Sequence, residues 1–524
     1  MKSYQSHLTE TQSFGENLPK NYRPKMRSSA IFPLIKKKYK IESIYTFMGY
    51  WLRKRNIKVV TALITIRDSI GNKIKVISYE INCYKSYVFS ANDFLLDRYE
   101  NFIGSVEIEI FSAVDMVFPY PAITFALKST NGITFVHTSG RIYNDIDDLN
   151  SNSEIIVAET GFDIYTGKNY SPFFSFINGP LKIEKSYYEL EFIDENSNHY
   201  SQKRQIKNVA PYGLVLIELF NKKFKLSKKF KEKKLTVKIK HNFKGFFPRF
   251  ICGNIYKNFL DISLTHSYYD SSTVNDKKSI YQNPSKKKYY DSTFSIPFDR
   301  YFDEIELAIY PNFSIAQTTL SFELYNLDGN FVDISNTKFK ISNAKQNLIY
   351  IPMSKMFDTK FKSLDKGMIK VIVDGGGKVP SRMKFGLNFL KSNKENNLPS
   401  NICFNANVAN DKLIKKPGTF KWCPIFSAIS QKIYIHNTSF VRRGFGTANL
   451  KIELCREKDN KKLKWSLKLK DNATLELIER KLKKIDLFLE NSIGWITIQS
   501  SNPFISGYYI TDFGKGVIGA DHIF

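Results

Sequence analysis

TTLSFELYNLDGNF, residues 318–331, alternates apolar and polar residues and then breaks into a turn carrying Asn, Asp and Gly. Alternation with period two is the mark of a half-buried β-strand, and such a turn ends it. The phrase occurs three more times. NIKVVTALITIRD (56–68) runs into IRDSIGNK (66–73), YYELEFID (187–194) into FIDENSNH (192–199), and ANLKIELCRE (448–457) into LCREKDNK (454–461). With Gly71, Asn196, Gly329 and Asn460 as markers, the steps are 125, 133 and 131 residues.

A second landmark keeps the same period. A strand that begins near Gly and is interrupted by proline appears as GSVEIEIFSAVDMVFP (104–119), KLTVKIKHNFKGFFP (234–248), GMIKVIVDGGGKVP (367–380) and GWITIQSSNP (494–503). Its prolines, Pro119, Pro248, Pro380 and Pro503, lie 129, 132 and 123 residues apart. A third landmark follows: His137, His266 and His522 stand 18, 18 and 19 residues after their prolines, whereas the third copy offers Cys403 or Asn405. The recurring histidine is therefore read first as a product of duplication.

Four units of about 130 residues account for the 524-residue chain. Their short runs of Ile, Val, Phe, Tyr and Thr, punctuated by Gly, Asn, Asp and Pro, predict an all-β protein. A unit of this length suits a sandwich that folds on its own core better than a solenoid repeat, which buries no face alone. The expectation is four tandem antiparallel β-sandwich domains with short helices: a basic leader at 1–40, then units at 41–150, 151–275, 276–412 and 413–524. The apolar positions 475, 478, 482, 485 and 489 predict a helix over 474–490, and shorter helical turns are expected at 90–100 and 352–361. The polar stretch 270–293 reads as an exposed loop or hinge.

The chain carries 78 Lys and Arg against 50 Asp and Glu, a net charge of +28. Such an excess points to an anionic partner. Only 15 of the basic residues are Arg. Arg is the residue of bidentate phosphate and base contacts, so a lysine excess fits nucleic acid less well than an acidic polymer. The best support for nucleic acid is NKKFKLSKKFKEKK (221–234). Five scattered cysteines, with no C-x-x-C pair, suggest neither a disulfide framework nor a zinc ribbon. No signal-like apolar segment or spanning run is present, and a cytoplasmic setting is expected.

The candidate chemistry lies around the histidines. His137 has Arg141, Tyr143 and Asp145 nearby in sequence, and His266 has Tyr269 and Asp270. These seven form the candidate ligand-binding set, whose donors and aromatic faces suit a sugar or an acidic group. No catalytic residue, cofactor or metal is assigned. Asp145 and Asp147 are spaced to share a cation, but Leu149 stands where an EF-hand needs an oxygen ligand. VDGGGKVPSR (373–382) lacks the Gly-Lys-Ser/Thr ending of a P-loop and reads as a hairpin tip. Tyr289 with Tyr290 and Tyr508 with Tyr509 are candidate aromatic platforms.

Several pieces, in order, resemble the sensory rhodopsin transducer family: the strand ending in a polar turn, FSANDFL (89–95), GWITIQSSNP (494–503) and VHTSGR (136–141). The resemblance implies a small β-sandwich and oligomeric assembly. It covers fragments of each unit; Ser139 and Gly140 lengthen the His-Thr-x-Arg-like ending, and no Arg follows His266. The resulting expectation is a non-catalytic binding or assembly scaffold, with a carbohydrate or anionic polymer as partner and self-association as a further possibility. The alternatives are an enzyme acting on glycans or their precursors, through Asp145, Asp147 or the histidines, and a nucleic-acid-binding protein.

Overall fold

A computed structural model describes residues 24–38, 40–95, 99–118, 120–137, 140–143, 158–167, 169–219, 230, 234–247, 249–257, 259–270, 280–282, 291–310, 317–341, 349–357, 364–375, 378–380, 383–391, 400–409, 415–426, 430–440, 444–477 and 480–524. It contains four β-sandwiches in tandem. The first comprises β1 (Arg27–Lys37), β2 (Ile41–Met48), β3 (Val60–Asp68), β4 (Lys73–Ile81), β5 (Ser86–Ser90), β6 (Asn101–Phe111), β7 (Thr124–Ser129) and β8 (Ile133–His137). Two short helices, α1 (Tyr50–Lys54) and α2 (Ala91–Phe94), interrupt it.

The second holds β9 (Ala158–Tyr165), β10 (Tyr170–Ile177), β11 (Ile183–Asp194), β12 (His199–Val209), β13 (Leu214–Glu218), β14 (Lys234–His241), β15 (Ile251–Tyr256) and β16 (Asp261–His266), followed by β17 (Tyr268–Asp270). After β18 (Ile280–Gln282), the third holds β19 (Asp291–Asp299), β20 (Glu304–Ile309), β21 (Thr318–Asn326), β22 (Phe331–Ile334), β23 (Phe339–Ile341), β24 (Ile349–Pro352), β25 (Lys366–Asp374), β26 (Lys378–Pro380), β27 (Lys384–Leu390), β28 (Ile402–Asn405) and β29 (Asn407–Ala409). The fourth is β30 (Thr419–Phe426), β31 (Ser430–His436), β32 (Ala448–Cys455), β33 (Lys462–Leu469), β34 (Thr474–Leu477), α3 (Arg480–Leu489), β35 (Ile493–Ser500), β36 (Ser506–Asp512) and β37 (Ile518–His522).

One topology serves all four. In the first sandwich the layers run β4-β3-β6-β1 and β5-β2-β7-β8, joined where the end of β1 pairs with β2. The second gives β12-β11-β14-β9 and β13-β10-β15-β16, the third β22-β21-β25-β19 and β24-β20-β27-β28, and the fourth β33-β32-β35-β30 and β34-β31-β36-β37. The phrase that opened the sequence is the third strand of each. In β21 the alternation is realised as buried Leu320, Phe322 and Leu324 against half-buried Thr319, Ser321 and Glu323. Asp68 closes the first turn by accepting the N–H groups of Ile70 and Asn72, and Asp194 closes the second through Asn196 and Asn198. Gly71 (φ 91°), Ser197 (φ 62°) and Gly329 (φ 84°) occupy the left-handed position. The counterpart of Gly71 in the second sandwich is thus Ser197 rather than Asn196.

Three expectations are corrected. The leader ends before β1, because Arg27–Lys37 pairs along its whole length with β6 and buries Ala30, Phe32 and Leu34 in the first core. The helix expected over 474–490 begins at Arg480, since Thr474–Leu477 is drawn into the sheet beside β31. The Gly-rich hairpin tip supplies β26, which pairs with β18 from the stretch expected to be a loop or hinge; the rest of that stretch, like most of the Lys-dense run 221–234, lies outside the described residues. The short helical turns fall where expected, at α2 and at Met353–Lys355.

The chain forms two compact units, one reaching to Tyr269 and the other beginning at Asp270. Within the first, Ile31 and Ile142 join the Phe-rich core of the second sandwich. Within the second, Tyr434, Tyr508, Ile510 and Ile518 of the fourth sandwich complete the core of the third. No described helix is long and apolar enough to cross a membrane.

Candidate functional site

In every sandwich the segment leaving the eighth strand turns back and pairs with the edge of the first. Ile31 pairs with Gly140, β9 with β17, β19 with β29, and Trp422 of β30 exchanges hydrogen bonds with Phe524. The recurring polar residue sits just before this return. His137, His266, Asn405 and His522 each end an eighth strand, so Asn405 is the third copy's counterpart. His266 and His522 make one local bond, Nδ1 donating to the following carbonyl at 2.9 and 3.1 Å. That donation fixes the Nδ1–H tautomer and leaves the lone pair on Nε2.

In the first unit β8 packs beside β16, and the rings of His137 and His266 meet edge to face, 4.7 Å between centroids at 87°. His266 is buried and His137 half-buried. At the opposite end of the same two strands the turn between β7 and β8 clamps Asp261: Ser129 Oγ donates to one carboxylate oxygen at 2.6 Å and Asn131 Nδ2 to the other at 2.9 Å.

Arg141 and Tyr143 lie in the returning segment, and the fold uses them as structure. The Tyr143 N–H donates to the Gly245 carbonyl at 2.9 Å, and the Arg141 carbonyl accepts from Phe247 N–H at 2.8 Å. The Arg141 guanidinium, 4% exposed, lies 5.7 Å from the Tyr120 ring and 5.9 Å from that of Tyr143. It borders a narrow cleft with room for about one water molecule, which Ser175, Phe246, Phe247 and Arg249 also line. The buried Ser175 hydroxyl has no hydrogen-bond partner among the described residues. Such a space is far below the roughly 300–1,000 Å³ usual for small-molecule pockets. It suits a water or the tip of an anionic group, not a sugar ring.

The structure therefore brings together His137, His266, Arg141 and Tyr143 at the joint of two sandwiches. Tyr269 and Asp270 lie in β17 beside β9, with side chains outside the described residues, as is Asp145 altogether. Tyr508 and Tyr509 form no surface platform: they are 3% and 0% exposed. Tyr289 and Tyr290 fall outside the described residues.

Sequence reasoning missed the polar groups that hold each joint. In the first unit Glu107 sits between Arg67 (2.9 Å) and Arg27 (3.5 Å), Arg27 also reaches Glu109 at 2.8 Å, and Arg67 lies 4.4 Å over the Tyr212 ring. In the second unit the Asp299 carboxylate accepts from Lys432 Nζ at 2.7 Å and Tyr434 Oη at 2.6 Å. Burial alone would raise the Asp299 pKa, but those two bonds and the lysine charge hold it below the ordinary carboxylate value. Burial also pushes the His241 imidazole down to about 4 and that of His436 to about 3.

No protein-family profile and no curated protein matches this chain. Among solved structures, a tetra-tandem repeat from the extending region of a large adhesion protein aligns over 94% of this chain and 98% of its own, at 8% identity and a TM-score of 0.10. A TM-score so low carries no argument about fold or function.

Proposed function

We propose that the chain is a non-catalytic scaffold that binds a polyhydroxylated, anionic ligand, carbohydrate being the leading class, through the outer faces of its sandwiches. One observation carries this reading: among the described candidate side chains, His137, His266 and Arg141 are engaged at the joint between sandwiches. His266 is tied to the Ser267 carbonyl and packed on His137, and Arg141 is enclosed between tyrosines. A catalytic centre requires convergent groups around space for a reacting molecule, and the cleft at this joint offers little room. Antiparallel sheets, by contrast, can present one broad face to water, and the net charge of +28 favours an acidic partner.

The test is a glycan array of acidic and neutral saccharides probed with the full chain, paired with a reducing-end assay on every glycan that binds. Retention of acidic glycans without turnover supports the scaffold. Steady release of reducing ends would place the chain among enzymes acting on glycans.

A further inference from the structure

The outer face of the β11–β12 hairpin in the second sandwich combines one accessible ring with exposed lysines. Tyr187 is 40% exposed. Cross-strand register places Gln205 directly opposite it, and the Gln205 side-chain amide donates to the Tyr187 hydroxyl at 2.9 Å. Lys203 and Lys185 Nζ stand 5.0 and 5.8 Å from the ring centroid. Register also sets Lys207 opposite Lys185, and Lys240 beyond Glu189 on the neighbouring β14. All four lysines are exposed, and none forms an ion pair among the described residues. The nearby carboxylate Glu191 is already engaged, by His199 at 2.7 Å and Lys238 at 3.6 Å.

We infer that this face binds a linear acidic polysaccharide of uronate type. The inference rests on the function proposed above and assigns it a site. A sugar ring laid on Tyr187 places its apolar face against the aromatic ring. The tyrosine hydroxyl and Gln205 amide offer both donors and acceptors to sugar hydroxyls. Lys203 and Lys207, four positions apart on β12 and so separated by roughly 13 Å, flank the position of Gln205 and meet carboxylates on either side of the stacked sugar. Glu189 accepts from sugar hydroxyls. Lysine lacks the planar fork that reads phosphates and bases. The corresponding face of the fourth sandwich lacks the ring: Asn449 pairs with Lys468 where Tyr187 pairs with Gln205, and Lys464 is already paired with Glu453 at 3.3 Å.

Affinity electrophoresis of the full chain through gels containing polygalacturonate, dextran or single-stranded DNA tests this. Polygalacturonate should retard the native protein and dextran should not. Tyr187→Ala and the double substitution Lys185→Glu/Lys203→Glu should each weaken retardation by roughly tenfold or more, as central contacts of an interface do. Lys464→Glu/Lys468→Glu should change it less than about twofold. These positions are exposed, so unchanged thermal unfolding certifies that each variant is folded. Retardation of native protein that both Tyr187→Ala and the double variant retain in full would refute this face while leaving the scaffold reading intact. Absence of retardation by any acidic or neutral polysaccharide would overturn both. Stronger retardation by DNA than by polygalacturonate would replace the sugar polymer with nucleic acid.

Discussion

His137 and His266 arose 129 residues apart in sequence, yet their rings touch edge to face at 4.7 Å across the joint of the first two sandwiches. The contact follows from equivalent position: each residue ends an eighth strand, and the two eighth strands lie side by side. Replacing His266 by Ala removes a buried ring and leaves the Ser267 carbonyl without its donor. We expect a loss of about 2–3 kcal/mol in urea unfolding. His137→Ala, at a half-buried position, should cost about 1 kcal/mol. Neither should alter retention on acidic glycans, which separates a joint from a binding site.

Glu107 is the anionic centre of the other contact at that joint. With one carboxylate facing two guanidinium groups, Glu107→Ala leaves the buried Arg67 without that counter-charge and the half-buried Arg27 with Glu109 alone. Breaking such a buried arrangement costs about 3–5 kcal/mol. Glu107→Gln keeps the shape and an acceptor oxygen, so its cost should be clearly smaller. Chemical denaturation of the three proteins side by side checks the order native, Gln, Ala.

How much of this was legible in the sequence divides along one physical line. The period was readable because a strand and its turn are local: Asp68 bonds to residues two and four positions on, and the same turn recurs through Asp194 and Asn326. The equivalence of His137, His266 and His522 was readable for the same reason. Their role was not, because it depends on partners supplied by another sandwich, as Asp299 depends on Lys432, 133 residues away. β1 reads as a leader because Ser28, Ser29 and Pro33 obscure its alternation. Pro33 is tolerated where β1 forms the edge of its layer, and Pro297 and Pro424 stand opposite corresponding positions of β25 and β35. That recurring proline was a signal the sequence carried. Tyr187 could not be ranked above other tyrosines until register showed which face it shared with Gln205.

Acid should weaken the two units through different groups. A buried imidazole that is neutral in the fold protonates near pH 6.5 once unfolded. Stability is then full above that pH and falls, by about 1.4 kcal/mol per pH unit for each such group, until the folded value is reached. For His241 the loss runs from about pH 6.5 to about 4, and for His436 to about 3. Asp299, held low by Lys432 and Tyr434, has the opposite chemistry but the same outcome: its contribution is present above the ordinary carboxylate value and lost as pH falls through the folded one. Urea unfolding at pH 7, 5.5 and 4.5 should show the decline, and His241→Phe, placing a ring among Phe243 and Phe250, should make it shallower by removing the first unit's share.

Two asparagines at matching places provide the last test of the duplicated joint. Asn178 Nδ2 donates to the carbonyls of Leu181 and Ala210 at 2.8 and 2.9 Å, and Asn437 Nδ2 to those of Gly446, Leu469 and Lys470, each at 2.9 Å. The turns they tie down receive the third-strand turn of the preceding sandwich: Leu214 N–H donates to Ser69, and Thr474 N–H to Leu327. Asn→Ala at either position strips buried carbonyls of a donor, at about 1–3 kcal/mol. Asn→Asp should be worse, because a carboxylate has no proton to give and opposes the same carbonyl dipoles with charge. Hydrogen exchange should localise the damage: Asn178→Asp exposing amides of the 210–214 turn, and Asn437→Asp those of 471–474. Exchange that rises equally in both turns for either variant would show that the two joints are not independent copies of one device.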